Sequence, residues 1–343
     1  AAAAAAAPGG MPTWVTRPMR VLRFGPAPHG TCERALRVAC GLEWTGVVVA
    51  ITQTVDETPA GVRALRESLE RAFAAHDAEP PLVAQGWEGA PGAPEPEPAA
   101  SLDPAQWRAR LEVAGPGASL ALRDGSRVVL AGGRLRVEGT HVATCGRWCL
   151  EAPHLFTQAP GLRNVGLRAL VAGAFHCVAL TQGHQVVTFG DQVGRDYSNG
   201  NLLGRASRAR EAPPPGASPI HLWLHARHGD YGFQPPGLVT EGLPPDSPIT
   251  EVAASTYSSA AVTQDGRVFT WGDSDGGALG HAGRACHRPR QVEGLAGERC
   301  ARVALSYTNA AAITTDGRAF VWGGLRWESG IARDTLVRGA GGE

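Results

Sequence analysis

Four segments of the chain share one pattern of small, apolar and polar residues, and this repetition restricts the fold more than any other sequence feature. Each segment contains a turn of small residues, a strand with alternating apolar residues, a polar turn and a second strand that ends in glycine. Three of the polar turns are Asp-Gly pairs, which favour β-hairpins because glycine tolerates positive φ. The segments begin at Val113, Val171, Val252 and Val303, and a weaker fifth copy begins at Val38.

The spacing of the segments predicts a β-propeller. Their terminal glycines are Gly132, Gly190, Gly272 and Gly323, so that 51 to 82 residues separate neighbouring copies. An interval of this length holds about four short strands with their turns, which is the size of one propeller blade. Each sheet would leave an apolar face that only a neighbouring sheet can cover, and radial closure would protect the sheet edges. We therefore predict an all-β fold of four-stranded blades.

A helix is predicted over residues 58–76, at the start of a helical and proline-rich insertion that covers residues 58–110. Thr58 is a suitable N-cap for this helix. A second short helix is predicted to begin at Asp103 and to carry Trp107. The apolar spacing of the first helix favours packing on the side of the propeller, and a helix that binds a partner is the alternative. Its apolar stripe consists of Val62, Leu65, Leu69 and Phe73.

The remaining chain is predicted to be one domain. Residues 1–20 are expected to form a flexible or transit-like tail, and residues 21–340 a single β-propeller domain. A second insertion between strands covers residues 205–232 and contains a run of prolines. The length of the chain is sufficient for one large domain with a sizeable core.

The sequence contains no lysine, so all 32 cationic side chains are arginine and balance 32 acidic ones. This absence excludes Gly-Lys-Ser/Thr phosphate loops, the usual kinase lysine and Schiff-base enzymes. Seven cysteines without a dense framework favour a reducing intracellular compartment, either cytoplasm or nucleus, with an organelle such as the mitochondrion as the alternative. Because the longest apolar runs are strand-sized and the net charge is zero, we expect neither a membrane span nor direct nucleic-acid binding.

One group of histidines has the spacing of a weak metal site. His221, His225 and His228 would share one face if their segment were helical, and imidazoles arranged in this way can bind zinc. The competing interpretation is that this segment is a strand and holds no metal. Three of 11 histidines can also cluster by chance. The sequence has no HExxH motif, nucleophile elbow or dinucleotide fingerprint. We therefore predict no metal, no cofactor and no catalytic activity.

Arginine placement is the most informative polar feature of the sequence. Two triplets of arginines follow the Leu-Gly pairs of consecutive repeats, and equivalent loops of neighbouring blades emerge on the same face of a propeller. Guanidinium groups bind carboxylates and phosphates through paired hydrogen bonds, so the triplets predict a surface for an acidic partner. The alternative is that these arginines only confer solubility, since every surface cation of this chain must be arginine. The triplets are Arg205, Arg208 and Arg210, and Arg284, Arg288 and Arg290.

One repeat resembles a known family signature. The run from Trp271 to Gly280, WGDSDGGALG, is similar to the WGxNxxGQLG motif of the regulator of chromosome condensation repeat family, and a looser copy runs from Phe189 to Gly204. The resemblance implies a propeller of about seven blades. Because only five copies can be recognised in the sequence, we expect six to seven blades, of which one or two are degenerate.

The resemblance also implies that partners define the function. Members of this family serve as interaction platforms, as nucleotide exchange factors for small GTPases, as histone-docking proteins and as recognition domains of ubiquitin ligases. We therefore predict a noncatalytic scaffold that acts as a subunit or adaptor of a larger assembly. A guanine-nucleotide exchange factor for a small GTPase, or a module that binds histones or chromatin, is the alternative.

Overall fold

Antiparallel β-sheets follow one another along the chain, as the repeats predict. The computed structural model of the protein describes residues 31–41, 44–78, 103–146, 157–159, 161–190, 201–205, 234–273, 276–282 and 285–324. These residues form four β-sheets and two α-helices, so the fold is mostly β. The helices are α1 (Pro59–Ala78) and α2 (Pro104–Ala114), and a short 3-10 turn covers Glu293–Leu295.

The first sheet has six strands, with the order β1-β2-β5-β4-β3 and with β6 paired to β5. Its strand β5 is 13 residues long and pairs with β2 from Trp44 opposite Gly146 to Thr54 opposite Arg136. The strands are β1 (Thr31–Cys40), β2 (Trp44–Thr54), β3 (Ser119–Ala121), β4 (Arg127–Ala131), β5 (Arg134–Gly146) and β6 (Thr157–Gln158).

The other three sheets are meanders in which strands adjacent in sequence are also adjacent in space. The second sheet contains β7 (Leu167–Ala172), β8 (His176–Thr181), β9 (Val186–Gly190) and β10 (Gln234–Leu238). The third contains β11 (Ile249–Ala254), β12 (Ser258–Thr263), β13 (Val268–Asp273) and β14 (Ala285–Gln291). The fourth contains β15 (Cys300–Leu305), β16 (Asn309–Thr314) and β17 (Ala319–Gly323).

The predicted Asp-Gly hairpins are confirmed. Gly125, Gly266 and Gly317 lie in the turns that join β3 to β4, β12 to β13 and β16 to β17. Their φ angles are 78°, 91° and 86°, a left-handed conformation that glycine adopts without a steric penalty. Local turn chemistry therefore fixes the register of the central hairpin in two of the three meanders.

Both predicted helices are present and pack on the first sheet. The hydroxyl of Thr58 accepts a hydrogen bond from the Gly61 amide at 3.2 Å, and the carboxylate of Asp103 caps α2 through the Ala105 amide at 2.9 Å. The apolar stripe of α1 and the buried Trp107 of α2 share one core with β4 and β5. This core contains Leu65, Leu69, Phe73, Trp107, Leu111, Val128, Leu135 and Val137.

The first of the four sequence copies differs from the others where it begins. Val171, Val252 and Val303 lie in strands, whereas Val113 lies in the last turn of α2 with its side chain exposed. The Asp103 cap and Pro104 start a helix whose hydrogen bonding continues to Gly115, which ends it with a φ of 87°. The first sheet is consequently a composite of β-hairpins and helices and differs from the three meanders.

The sheets pack face to face in chain order, as blades of a β-propeller do. Each pair of neighbouring sheets shares a buried apolar cluster. The cluster between the second and third sheets contains Val178, Leu180, Val186, Val252, Ala261 and Trp271. The cluster between the third and fourth sheets contains Ala260, Val262, Val268, Val303 and Ala312. The predicted β-propeller architecture is confirmed, and the total of six to seven blades stays a prediction.

The fourth sheet exposes the face that its predecessors bury. Val262 of the third sheet pairs with Val268 and is fully buried against the fourth sheet. Ile313 pairs with Ala319 at the equivalent positions of the fourth sheet, but it is 48% exposed. Val321 on β17 is 49% exposed. Apolar side chains at equivalent positions are therefore buried in the third sheet and exposed in the fourth.

None of the described helices is long and apolar enough to cross a membrane. The 20-residue α1 contains arginine and glutamate along its length and buries only its apolar stripe on the first sheet.

The two equivalent positions should respond differently to truncation. Val262→Ala is expected to lower the free energy of unfolding by about 2 kcal/mol, because it leaves a cavity between two sheets. Ile313→Ala is expected to cost less than about 0.5 kcal/mol, because the side chain is half exposed. Urea unfolding of both variants would measure this difference, and equal losses would contradict the packing order of the third and fourth sheets.

Candidate interaction surface

A tryptophan of each later sheet binds a loop that belongs to the preceding sheet. The indole Nε1–H of Trp271 donates to the carbonyl oxygen of Leu202 at 3.1 Å, and that of Trp322 donates to the carbonyl oxygen of Ala278 at 2.9 Å. Leu202 and Ala278 hold the same place in the loops 201–204 and 277–280, which follow β9 and β13. We call this repeated contact the tryptophan latch.

The same loops are also bound to their own sheets. The hydroxyl of Thr188 donates to the carbonyl of Leu203 at 2.8 Å, and Thr270 donates to Leu279 at 2.6 Å. Gly204 ends the first loop with a φ of 64°, and a Cβ at this position would lie 2.7 Å from the Trp271 ring. Glycine is therefore required where the loop meets the latch, because it permits both the backbone angle and the close approach.

A buried histidine extends the first latch. His176 is fully buried, and its Nε2 lies 2.7 Å from the hydroxyl of Ser259, which donates to the carbonyl of Leu202 at 3.2 Å. The tautomer of His176 sets the direction of this bond: Nε2 donates to Ser259 when the Ser259 proton is directed to Leu202. Burial lowers the pKa of His176 from 6.5 to about 3, so the ring is neutral at physiological pH.

Arg205, the first residue of the predicted acidic-partner surface, is bound within its own sheet. Its guanidinium donates to the hydroxyl of Thr188 at 3.2 Å and to the Thr188 carbonyl at 3.3 Å. His281 follows the equivalent loop, and its Nε2 lies 2.9 Å from the Thr270 hydroxyl. Arg205 thus has the same structural place as His281 and supports the loop of the latch.

The other predicted arginines are in part outside the described residues. Arg288 and Arg290 lie on β14 with exposed side chains, where Arg288 pairs with Glu241 and Arg290 pairs with Glu293 at 3.0 Å. Arg208, Arg210 and Arg284 lie outside the described residues, as do His221, His225 and His228 of the weak metal candidate. The arc of both triplets therefore stays a prediction. Within the described part of the chain, no group of three or more His, Cys, Asp or Glu side chains could hold a metal ion.

Two arginines that the sequence reasoning missed stabilise the hairpin turns. Arg267 pairs with Asp265 at 2.8 Å and with Asp246 at 2.9 Å, and so ties the hairpin turn to the loop before β11. Arg318 binds Asp316 and Glu298 in the same way in the fourth sheet. Both turns have the sequence Thr-x-Asp-Gly-Arg, and this repeated motif could have predicted that the arginines pair within their turns. The hydroxyl of the threonine in each turn lowers the pKa of its aspartate most strongly.

Three aromatic rings lie side by side at the turns between the first and second strands of consecutive sheets. Phe175 and Tyr257 stack with their ring centroids 5.5 Å apart, and Tyr257 and Tyr307 meet edge to face at 5.8 Å. We call these residues the aromatic row. Alignment of the repeats places the three residues within one position of each other, but ring contact depends on the packing of the sheets.

Loss of the latch donor should weaken the joint between sheets. In Trp271→Phe, the Leu202 carbonyl loses its indole donor and the fully buried site loses volume, so we expect a destabilisation of about 2–3 kcal/mol. The matched change Trp322→Phe should cost less, because Trp322 is only partly buried. Chemical denaturation would measure both variants. Equal stability of Trp271→Phe and the unmodified protein would contradict a structural role for the latch.

Acid should weaken the fold through His176. The unfolded chain binds a proton at this imidazole below about pH 6.5, whereas the folded state resists protonation until about pH 3. The free energy of unfolding should therefore fall as pH decreases between these values. His176→Gln keeps an amide donor in place of Nε2–H but cannot titrate, so its stability should fall less steeply. Urea unfolding from pH 7.5 to 4.5 tests this expectation, and parallel pH profiles would contradict it.

Comparisons with known proteins agree with the repeat pattern. Two family models, both described as the regulator of chromosome condensation (RCC1) repeat, match residues 265–313 and 249–278. The E3 ubiquitin-protein ligase HERC2 of Homo sapiens is 41% identical over 66 residues, which are 19% of this chain and 1% of that protein. The mitochondrial RCC1 domain-containing protein RUG3 of Arabidopsis thaliana is 26% identical over 165 residues, which are 48% of this chain and 30% of that protein.

One solved structure matches this chain at low sequence identity. Prp20p of Saccharomyces cerevisiae, described with its binding to Gsp1p and histones, has a TM-score of 0.39 and 14% identity. The alignment covers 85% of this chain and 58% of that chain. The chain therefore spans less than two thirds of the length of each of these relatives.

Proposed function

The chain belongs to the RCC1 repeat family through the repeats at residues 249–313, and we propose that it is a noncatalytic protein–protein interaction scaffold, a subunit or adaptor of a larger assembly. One observation carries this proposal. The tryptophan latch holds consecutive sheets together, so that equivalent turns of three sheets lie next to one another and display the aromatic row. A rigid framework that presents neighbouring turns is suited to binding a macromolecular partner.

The polar side chains of the repeats support this interpretation because they maintain the framework. Thr188 and Thr270 bind the loops of the latch, and His176 is neutral and buried within it. Arg267 and Arg318 are engaged by carboxylates of their own sheets. A buried, neutral imidazole and paired guanidinium groups serve stability in these positions.

The proposal predicts a stable complex without enzymatic turnover. The full chain with an affinity tag would be used to purify partners, and each candidate would then be produced pure and mixed with the full chain. A stoichiometric complex by size-exclusion chromatography is the expected result. Nucleotide release from a panel of small GTPases should not accelerate. Accelerated release would overturn the proposal in favour of an exchange factor, and the absence of any reconstituted complex would also contradict it.

The predicted arginine surface gives this experiment a matched variant. Arg284→Ser, Arg288→Ser and Arg290→Ser together should weaken capture of an acidic partner and reduce its dependence on salt, because fewer charge-assisted contacts remain. Arg267→Ser is the control, since it also removes a paired arginine of the third sheet but lies in a hairpin turn outside the predicted triplets. Unchanged affinity and salt dependence of the triple variant would remove the acidic-partner surface while leaving the scaffold proposal intact.

A further inference from the structure

One face of the first sheet carries arginines that are separate from the two triplets of the sequence. Residues paired across neighbouring strands, and alternate residues along one strand, share a face of a sheet. The register of β1, β2, β5 and β4 therefore places five arginines on one face, where Arg127, for example, is opposite Glu138. We call these five residues the arginine face: Arg34, Arg37, Arg127, Arg134 and Arg136.

The guanidinium groups of the arginine face have no anionic partner within the described part of the chain. Four of the five side chains are exposed, and Arg136 is half-buried with its Nε atom buried and without an acceptor. None of the five takes part in an ion pair or a side-chain hydrogen bond between described residues. Glu138 is the one acidic residue at the described strand positions of this face. Glu57, three residues beyond the end of β2, is bound by Arg108 at 3.1 Å. The described strands therefore leave an excess of positive charge on this face.

Helices cover the opposite face of the same strands and hold the arginine face in place. Val128, Leu135 and Val137 alternate with the arginines along β4 and β5 and lie in the core shared with α1 and α2. Phe73 of α1 and Trp107 of α2 are buried in that core. The backbone positions of the arginines on these two strands are therefore fixed before a partner binds, which reduces the entropy cost of binding.

We propose that the arginine face binds an extended acidic segment of a partner protein through carboxylates at alternate positions of that segment. Arg134 and Arg136 are two residues apart on β5, so their Cα atoms are about 6.8 Å apart at the rise of an antiparallel strand. Alternate side chains of an extended segment have the same spacing and point in the same direction. Each guanidinium group can bind one carboxylate through two parallel hydrogen bonds. This inference rests on the proposed scaffold function and adds the chemistry of the recognised segment.

The positions beside these two arginines fit a peptide better than a nucleic acid. On β2, Thr54 pairs with Arg136 and Thr52 pairs with Glu138, and on β4 Val129 pairs with Arg136. Threonine hydroxyls can donate hydrogen bonds to carboxylates. Sites for single-stranded nucleic acid instead use aromatic side chains on which bases stack, and these neighbouring positions hold hydroxyl and aliphatic side chains. Because Glu138 would repel a third carboxylate, the recognised segment should carry two acidic residues and an uncharged residue over Glu138.

The test uses short peptides of defined sequence with the full chain. Acetylated, amidated Gly-Ser-Glu-Thr-Glu-Thr-Ser-Gly would be titrated by ligand-observed NMR, and binding should weaken with added salt. A peptide with glutamine in place of both glutamates should bind about tenfold more weakly, because both ion pairs are lost. The isomer Gly-Ser-Thr-Glu-Glu-Thr-Ser-Gly should bind about threefold more weakly, because adjacent carboxylates of an extended chain point to opposite sides. Equal binding of the glutamine peptide would overturn the proposal, and equal binding of the isomer would overturn the alternate spacing.

A matched pair of double variants locates the site. Arg134→Gln with Arg136→Gln should weaken the alternating peptide about tenfold and reduce the salt dependence of its binding. Arg63→Gln with Arg66→Gln is the control, since it makes the same change of net charge on exposed arginines of α1, which covers the opposite face of the sheet. Unchanged affinity in the first double variant, or an equal loss in both, would overturn the assignment to the arginine face.

A single variant on the neighbouring strand keeps the test independent of Arg136, whose side chain is half-buried. Arg127 is exposed and lies diagonally across from Arg136, at about 7–8 Å. Arg127→Gln should weaken the alternating peptide about twofold, because one positive charge next to the bound carboxylates is lost. Thermal unfolding would confirm that each variant is folded. An affinity that stays the same or rises in folded Arg127→Gln would contradict the proposed site.

The two proposals can fail separately. If the reconstituted complex keeps its affinity in the variant with Arg134→Gln and Arg136→Gln, the arginine face is not the recognition site, but the scaffold function stands. If the alternating peptide binds the arginine face and no reconstituted complex forms, the site stands and the scaffold function falls. A single-stranded oligothymidylate that binds more tightly than the alternating peptide, with the same dependence on Arg134 and Arg136, would overturn the choice of a protein partner.

Discussion

The carbonyl oxygen of Leu202 is the point at which the second and third sheets become one structure. It accepts hydrogen bonds from Trp271 of β13 and from Ser259 of β12, and Ser259 is held in turn by His176 of β8. All of these donors are buried, so water cannot replace any that is lost. Apolar packing alone would allow neighbouring sheets to slide, whereas these directional bonds fix their relative position. The turns of these sheets are therefore also held in fixed positions relative to one another.

A chain without lysine must use arginine for both structure and recognition, and the structure separates some of these uses. Arg267, Arg318 and Arg205 bind partners within their own sheets, where the planar guanidinium reaches two acceptors at once. A high arginine content therefore says little about binding until each residue is placed. The turns of the aromatic row contain no arginine, so their ring contacts are independent of the arginine content of the chain.

Local sequence signals predicted the parts of the fold that depend on local chemistry. The Asp-Gly turns and the capped, striped helix, predicted over 58–76 and observed as Pro59–Ala78, follow from neighbouring residues alone. The pairing of β2 with β5 joins segments that are about 90 residues apart, and no local pattern encodes that contact. The latch and the aromatic row could not be predicted from the sequence either, because Trp271 contacts Leu202 and Phe175 contacts Tyr257 only after the sheets have packed.

The latch also shows that the repeat seen in the sequence and the unit that holds the fold together are out of phase. Each joint takes its acceptor from the loop after the third strand of one sheet and its donor from the third strand of the next, as with Leu202 and Trp271. Duplication or deletion of one whole sheet would therefore place a loop against a tryptophan other than its present partner. A segment that begins at the loop of one sheet and ends with the third strand of the next contains both the acceptor and the donor of one latch. Residues 201–273 form such a segment. Modular growth of this propeller, in evolution or by design, would proceed by exchange of that segment.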